Sequence, residues 1–169
     1  VIVDYAHTPD ALQKVYETVK PTVRGKLISV LGATGRRDKT KRPLLGALAG
    51  KYADYVFLTN EDPYDEDPQL IIDAVAEGVP RGRPKRGRYK INKESEIPFK
   101  YKDNGEDIWW WRVIDRREAI ERALAMARAQ DVVLVTGKGA ENVMAVGDKL
   151  VPWSDRRILE ESLQKYQVN

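Results

Sequence analysis

Apolar residues in this chain fall into short β-branched runs separated by stretches with helical spacing. Val1-Ile2-Val3, residues 27–31, 55–59 and 131–136 are too short and too β-branched for helices, and they read as buried strands. After the first run, Thr8-Pro9 predicts a helix start, with Thr8 as N-cap and Pro9 where its missing N–H costs nothing. Leu12, Val15, Tyr16 and Val19 then follow at i, i+3, i+4 and i+7. Residues 40–52 repeat that spacing through Leu45, Leu48, Ala49 and Tyr52, and Asp67-Pro68 opens another helix over 70–77. Asp115 to Glu118 forms a D-x-x-E helix start ahead of Ile120, Ala123, Leu124 and Ala127. Residues 143–151, broken by Gly147-Asp148, predict a hairpin, and Ser154 caps a last helix through Leu163. Strands alternating with helices predict an α/β, Rossmann-like domain: a mostly parallel sheet with helices on both faces.

Residues 80–108 interrupt the alternation. They are polar, aperiodic and contain Gly and Pro, and they read as a surface insertion in a single domain over 1–169, with a short hairpin near 97–101 and 108–113. The net charge of +3 is concentrated there. From Arg81 to Lys102 nine Lys or Arg stand against two Glu, a local +7, so the remainder carries 3 − 7 = −4. A solvated basic loop is the preferred reading of such a run. A nucleic-acid-binding module, stacking bases on Trp109-Trp110-Trp111, is the alternative. Strand alternation would instead bury Trp110 or its two neighbours. No run approaches the roughly 18 apolar residues that span a bilayer, there is no signal peptide, and the absence of cysteine removes disulfides and thiolate metal sites. A cytoplasmic protein fits these features. The chain begins inside a strand without Met and reads as part of something longer.

Four turns follow strands on one rim of such a sheet, the edge where open α/β sheets bind ligands. They hold Asp4 to His7, Gly32 to Arg42, Asn60 to Tyr64, and Gly137 to Asn142. Asp4 is equally placed to cap its turn, with the single histidine, His7, on the surface. The glycines let backbone N–H groups approach an anion. Arg36, Arg37, Lys39 and Lys41 supply cations for phosphate or carboxylate, while Glu61, Asp62 and Glu141 suit a ribose, an ammonium or a metal. Neither G-x-x-x-x-G-K-[ST] nor G-x-G-x-x-G occurs, so phosphate-binding elements would have to come from elsewhere.

Asp4-Tyr-Ala-His-Thr-Pro-Asp-Ala-Leu12, Gly35-Arg-Arg-Asp-Lys-Thr-Lys-Arg-Pro43, Asp131-Val-Val-Leu-Val-Thr-Gly-Lys-Gly139 and Ser154-Asp155-Arg156 resemble the C-terminal domain of the Mur ligases. The resemblance is greatest to the UDP-N-acetylmuramyl-tripeptide synthetase type and covers the chain outside the insertion. It implies a cytoplasmic, ATP-dependent amide ligase of peptidoglycan synthesis. The UDP-sugar domain and the central P-loop domain would lie upstream, the latter holding most of the Mg²⁺ contacts, and the isolated domain would be inactive. The partners implied are UDP-N-acetylmuramyl dipeptide and a free amino acid. By matching position, Asp4 would bond the ribose hydroxyls and His7 would lie near the nucleotide. Arg37 would take the amino acid's carboxylate, with Gly137 and Glu141 at its side-chain end. Diaminopimelate-adding members show D-N-P-R where this chain has Glu61-Asp62-Pro63-Tyr64, and the usual His after G-K-G is Ala140. The missing Arg and the acids Glu61, Asp62, Asp65, Glu66 and Asp67 around Tyr64 therefore predict a substrate side chain ending in an amine, such as lysine or ornithine, over meso-diaminopimelate. Cyanophycin and folylpolyglutamate synthetases share fold and chemistry and stand as the related alternative, with Thr-Pro-Asp-Ala-Leu favouring the tripeptide-synthetase type.

Overall fold

The computed structural model describes residues 1–79, 99–103 and 106–167. The basic run at 81–90 and most of the expected insertion lie outside the described residues. Each predicted strand forms: β1 (Ile2–Asp4), β2 (Leu27–Leu31), β3 (Tyr55–Thr59) and β6 (Val132–Thr136). The hairpin expected near 97–101 and 108–113 forms as antiparallel β4 (Phe99–Asp103) and β5 (Glu106–Val113). β5 is no surface feature, because it also pairs in parallel with β3. The sheet order is β1-β6-β2-β3-β5-β4, parallel throughout except at β4. A separate hairpin, β7 (Val143–Val146) and β8 (Lys149–Pro152), follows β6.

The helices start where short polar side chains satisfy free N–H groups. Thr8 Oγ1 accepts from Ala11 N ahead of α1 (Pro9–Val19), and Asp67 Oδ1 from Gln69 N ahead of α3 (Pro68–Ala76). Asp115 caps α4 (Arg116–Met126) through Glu118 N, and Ser154 caps α5 (Asp155–Gln167) through Arg157 N. α2 (Lys41–Tyr52) has no side-chain cap, and Asp38 instead takes both the backbone N–H and the hydroxyl of Thr40.

Alternate strand residues feed two cores. Leu27, Leu31, Val56, Leu58, Trp110 and Leu134 pack under α1, α2 and α3. Ile28, Val30, Phe57, Trp111, Val133 and Val135 pack under α4 and α5. Each buried Leu or Ile contributes roughly 1.5–3 kcal/mol relative to exposure. Ser29, a hydroxyl inside an apolar strand, is explained by Tyr16, whose buried phenol meets its Oγ at 2.7 Å; burial pushes that phenol's pKa far up. Because both faces are covered, Trp110 and Trp111 are both buried, at 2% and 7% exposure. The expectation that burial would select one of them is corrected, and neither is available to stack on a base.

The α2–α3 seam is the tightest joint. A Cβ on Gly46 would collide with the Val75 carbonyl oxygen, so only glycine lets these helices approach. Beside it, the buried guanidinium of Arg42 bonds both carboxylate oxygens of Glu66, Nη1 to Oε2 and Nη2 to Oε1, each at 3.1 Å. Lys39 Nζ (3.0 Å) and the Arg36 N–H (2.7 Å) converge on the same carboxylate. These donors, Lys39 first, hold the Glu66 pKa down to about 2 from the ordinary 4.5.

Gly46→Ala should lower stability although alanine favours helix by about 1 kcal/mol, because overpacking against backbone costs about 1–3 kcal/mol. A lower urea midpoint checks this; an unchanged or higher midpoint would show that the seam can open freely. The depressed Glu66 pKa makes a second prediction. The carboxylate's stabilising contribution is complete above its unfolded pKa near 4.5 and is lost as pH falls through about 2. The wild-type advantage over Glu66→Gln in urea midpoint should be full from neutral pH down to about 4.5 and shrink between there and about 2. A difference that stays constant down to pH near 2 would exclude the charge as its cause.

Candidate functional site

The carboxyl ends of β1, β6, β2 and β3 lie side by side, so the four polar loops do share one rim. Because β6 sits between β1 and β2, the loops after β1 and β6 are neighbours, and Gly137 N donates to the Asp4 carbonyl at 3.2 Å. Asp4 Oδ1 accepts from Ala6 N at 2.8 Å, fixing its own turn, and no described residue bonds its second oxygen. His7 Nδ1 lies 3.0 Å from the Tyr5 carbonyl, which selects the tautomer protonated there, and its ring stands edge-on to Tyr5 at 4.7 Å. Tyr5 OH donates to Glu141 Oε1 at 3.4 Å, and the negative charge of Glu141 raises the phenol's pKa. Gly139, at φ +54°, has no room for a Cβ beside Tyr5.

Below these loops lies a buried charge cluster. Lys138, 1% exposed, donates to both oxygens of Asp62 at 2.8 Å and to Glu141 Oε2 at 2.6 Å. Burial alone would lower its pKa; the two carboxylates overcome this and hold it above the ordinary value. Asp62 also accepts from Ala145 N at 2.8 Å, which ties the β3–α3 loop to β7. Glu61 is buried, its Oε1 accepting from Thr34 Oγ1 at 3.2 Å. Burial raises its pKa, against the pull of nearby Arg116. Its second oxygen faces Gly137, where φ is +107° and a Cβ would strike the carboxylate, so glycine is required there.

Tyr64, at φ +50°, bridges to the hairpin through Tyr64 N to Ala145 O (3.1 Å) and Gly147 N to Tyr64 O (2.7 Å). The Arg36 guanidinium lies 5.4 Å above the Tyr64 ring and pairs with Asp65 at 2.6 Å and Asp148 at 3.3 Å. The expectation that five acids around Tyr64 jointly select an amine needs correction. Asp62 is taken by Lys138, Asp65 by Arg36, Glu66 by Arg42 and Lys39, and Asp67 by the start of α3. Glu61 keeps an oxygen without a partner among the described residues, as do the exposed Asp65 and Asp67, and of these three Glu61 alone is buried.

Of the residues expected in a site, the structure joins Asp4 to Gly137 through the backbone, Gly137 to Glu61, and Asp62 to Glu141 through Lys138. His7 sits beside Tyr5 at the β1 end, and Tyr64 is held in the hairpin bridge. Arg37 touches none of these; it is exposed and without a partner among the described residues. Sequence reasoning missed Lys138 and Arg116 as organising groups. Lys138 was visible only as the middle of G-K-G. Arg116 carried a signal, because a cation in the first turn of a helix opposes the helix dipole and needs a partner.

The family described as Mur ligase, glutamate ligase domain, matches residues 1–139. The UDP-N-acetylmuramoyl-L-alanyl-D-glutamate--2,6-diaminopimelate ligase of Caldanaerobacter subterraneus subsp. tengcongensis is 39% identical over 163 residues, 96% of this chain and 29% of that protein. The ligase of the same name from Clostridioides difficile is 38% identical over 165 residues, 98% of this chain and 29% of its own length. A solved structure of such a ligase superposes with a TM-score of 0.76 at 32% identity, covering 98% of this chain and 29% of that one. The chain thus spans under a third of the length of these relatives. Matched over most of its length in sequence and over nearly all of it in fold, the chain belongs to the family of Mur ligase glutamate-ligase domains.

Proposed function

We propose that this chain is the C-terminal domain of an ATP-dependent amide ligase that adds an amino acid to UDP-N-acetylmuramyl dipeptide in peptidoglycan synthesis. The observation that carries this reading is the 35–39% identity, over nearly the whole chain, to ligases named for joining diaminopimelate to that dipeptide. Those names favour the tripeptide-forming type over cyanophycin or folylpolyglutamate synthetases. No helix among the described residues is long and apolar enough to cross a membrane.

ATP would supply activation of the dipeptide's terminal carboxylate. On this chain the free oxygen of Asp4 would accept from ribose hydroxyls, with His7 in the same turn. Exposed Arg37 would take the carboxylate of the incoming amino acid. Glu61, with one oxygen open beside Gly137, would receive an ammonium at the far end of that substrate. Diaminopimelate, lysine and ornithine all carry such a group. Asp62 and Glu141 would form a wall around Lys138, and Tyr64 would close the end under Arg36. The described residues contain no group of three His, Cys, Asp or Glu fit for a metal ion. Mg²⁺ is therefore assigned no ligand and no step here.

Phosphoryl transfer depends on positioned cations around the phosphates, and the 169 residues hold no P-loop. The purified chain alone should therefore show no steady ATP turnover and form no amide. Turnover abolished by substitutions at Gly137 or Gly139 would overturn this. In the complete ligase, Asp4→Ala should raise the KM for ATP and Arg37→Ala the KM for the amino acid. Each rise should be about ten- to a hundredfold, the scale of a lost charge-assisted hydrogen bond. Steady-state kinetics with each substrate varied in turn separates the two. An amino-acid KM unmoved by Arg37→Ala would remove Arg37 from the site.

A further inference from the structure

The β2–α2 loop and the first turn of α2 present five cations: Arg36, Arg37, Lys39, Lys41 and Arg42. Arg36 is held by Asp65 and Asp148, Lys39 and Arg42 by Glu66, and Lys41 Nζ reaches the His7 carbonyl at 3.5 Å. Only Arg37 is left without a partner among the described residues. The carboxylate that fixes its surroundings is Glu66. It accepts from the Arg36 N–H on one side of Arg37 and from Lys39 and Arg42 on the other. Glu66 itself stands on the β3–α3 loop, where its N–H closes a turn onto the Pro63 carbonyl at 3.0 Å. That turn contains Tyr64 and follows directly on Glu61 and Asp62. A second tie, Gly35 N to Asp62 O at 2.7 Å, holds the other end of the same loop pair.

We propose that Glu66 is a positioning residue that sets the distance between the carboxylate-binding Arg37 and the loop of Glu61 to Tyr64, and so sets the length of amino acid the site accepts. This rests on the functional reading above. Arg37 and Glu61 belong to different loops, and a substrate bridging them is measured by their separation. Glu66 lies on the second loop and grips the first at three donors, two of them cations. The grip is firm: Arg42 is 3% exposed and its guanidinium is additionally anchored on the Thr34 carbonyl at 3.2 Å. The backbone that carries Arg37 is thus held against the loop of Glu61 by the Glu66 contacts together with the Gly35–Asp62 tie.

The test uses the complete ligase with Glu66→Gln, Glu66→Asp and Arg37→Ala, measuring KM for ATP, UDP-dipeptide and amino acid, and kcat/KM for lysine against ornithine. Glu66→Gln removes the charge and should raise the amino-acid KM by about tenfold, leaving the ATP and UDP-dipeptide KM unchanged. Glu66→Asp keeps the charge but withdraws it by one methylene, drawing the loops together. It should shift the kcat/KM ratio toward the shorter ornithine by about tenfold, the scale at which sites distinguish a methylene. A general structural role would raise all three KM values together, or lower only the active fraction, with the ratio fixed; either result overturns the proposal. If Arg37→Ala raises the amino-acid KM while both Glu66 variants leave KM and ratio unchanged, the strut fails and the functional reading stands. If Arg37→Ala changes nothing, the reading beneath it fails and the proposal falls with it. Should Glu66→Gln not fold, the Glu66→Asp ratio carries the decision alone.

Discussion

The buried ion pair between Arg116 and Asp155 is the constraint on which the rim depends. Both side chains are essentially inaccessible, and they meet through Arg116 Nε to Oδ1 at 2.8 Å and Nη2 to Oδ2 at 2.6 Å. Removing two charges from water is costly, and such a pair persists only when its remaining donors and acceptors are filled. Arg116 fills its own on the Asn60 carbonyl (3.3 Å) and the Thr136 carbonyl (2.8 Å), and Asp155 accepts from Trp153 Nε1 at 2.9 Å. Those carbonyls stand at the ends of β3 and β6, and the two charges open α4 and α5. One interaction thus fixes where two loops leave the sheet and where two helices begin behind them. Asp155 gains from the α5 dipole, while Arg116 works against that of α4, so the helix ends alone would not bring this pair together.

Charge placed there acts on the loops above it. Glu61 is buried under Gly137, and the positive field of Arg116 opposes the desolvation that drives its pKa up. Lys138, itself buried, pairs with both Asp62 and Glu141. The glycines at 137 and 139 follow from the same crowding, since any side chain would displace Glu61 or Tyr5.

Much of the fold was legible because the strands are short, apolar and β-branched, and four helices announce themselves with a capping residue or with Pro at the first position. β2, β3 and β6 needed nothing beyond local pattern. β5 was harder. Its neighbours 80–108 are polar, so Ile108 to Val113 looked like the end of an insertion, and only pairing with β3, distant in sequence, makes it a core strand. The rim itself was legible from topology, because parallel strands place their following loops on one edge. The charge pairing was not. Glu66 reads as one acid among five, and its partners lie 24 to 30 residues upstream. Local sequence supplies the charges; the register of two loops decides which of them cancel.

That cancellation defines what the rim offers. Arg36, Lys39, Asp62, Asp65, Glu66, Lys138 and Glu141 are joined in ion pairs, and Asp38 and Asp67 satisfy backbone N–H groups. Lys41 reaches only the His7 carbonyl and one oxygen of Asp38 is unused; also open among the described charges of the four loops are the guanidinium of Arg37, one oxygen of Asp4 and one oxygen of Glu61. These three differ in kind. A guanidinium on an exposed loop suits a planar anion and binds it bidentately. An aspartate oxygen at a strand end suits neutral hydroxyls. A buried glutamate with a raised pKa is the group that gains most from a cation, because pairing offsets the desolvation it already suffers. A rim crowded with charge thereby offers three groups of complementary kind on three different loops. On the reading proposed above, such a rim would suit a ligand set carrying a carboxylate, an ammonium and a diol better than one that is merely acidic or merely basic.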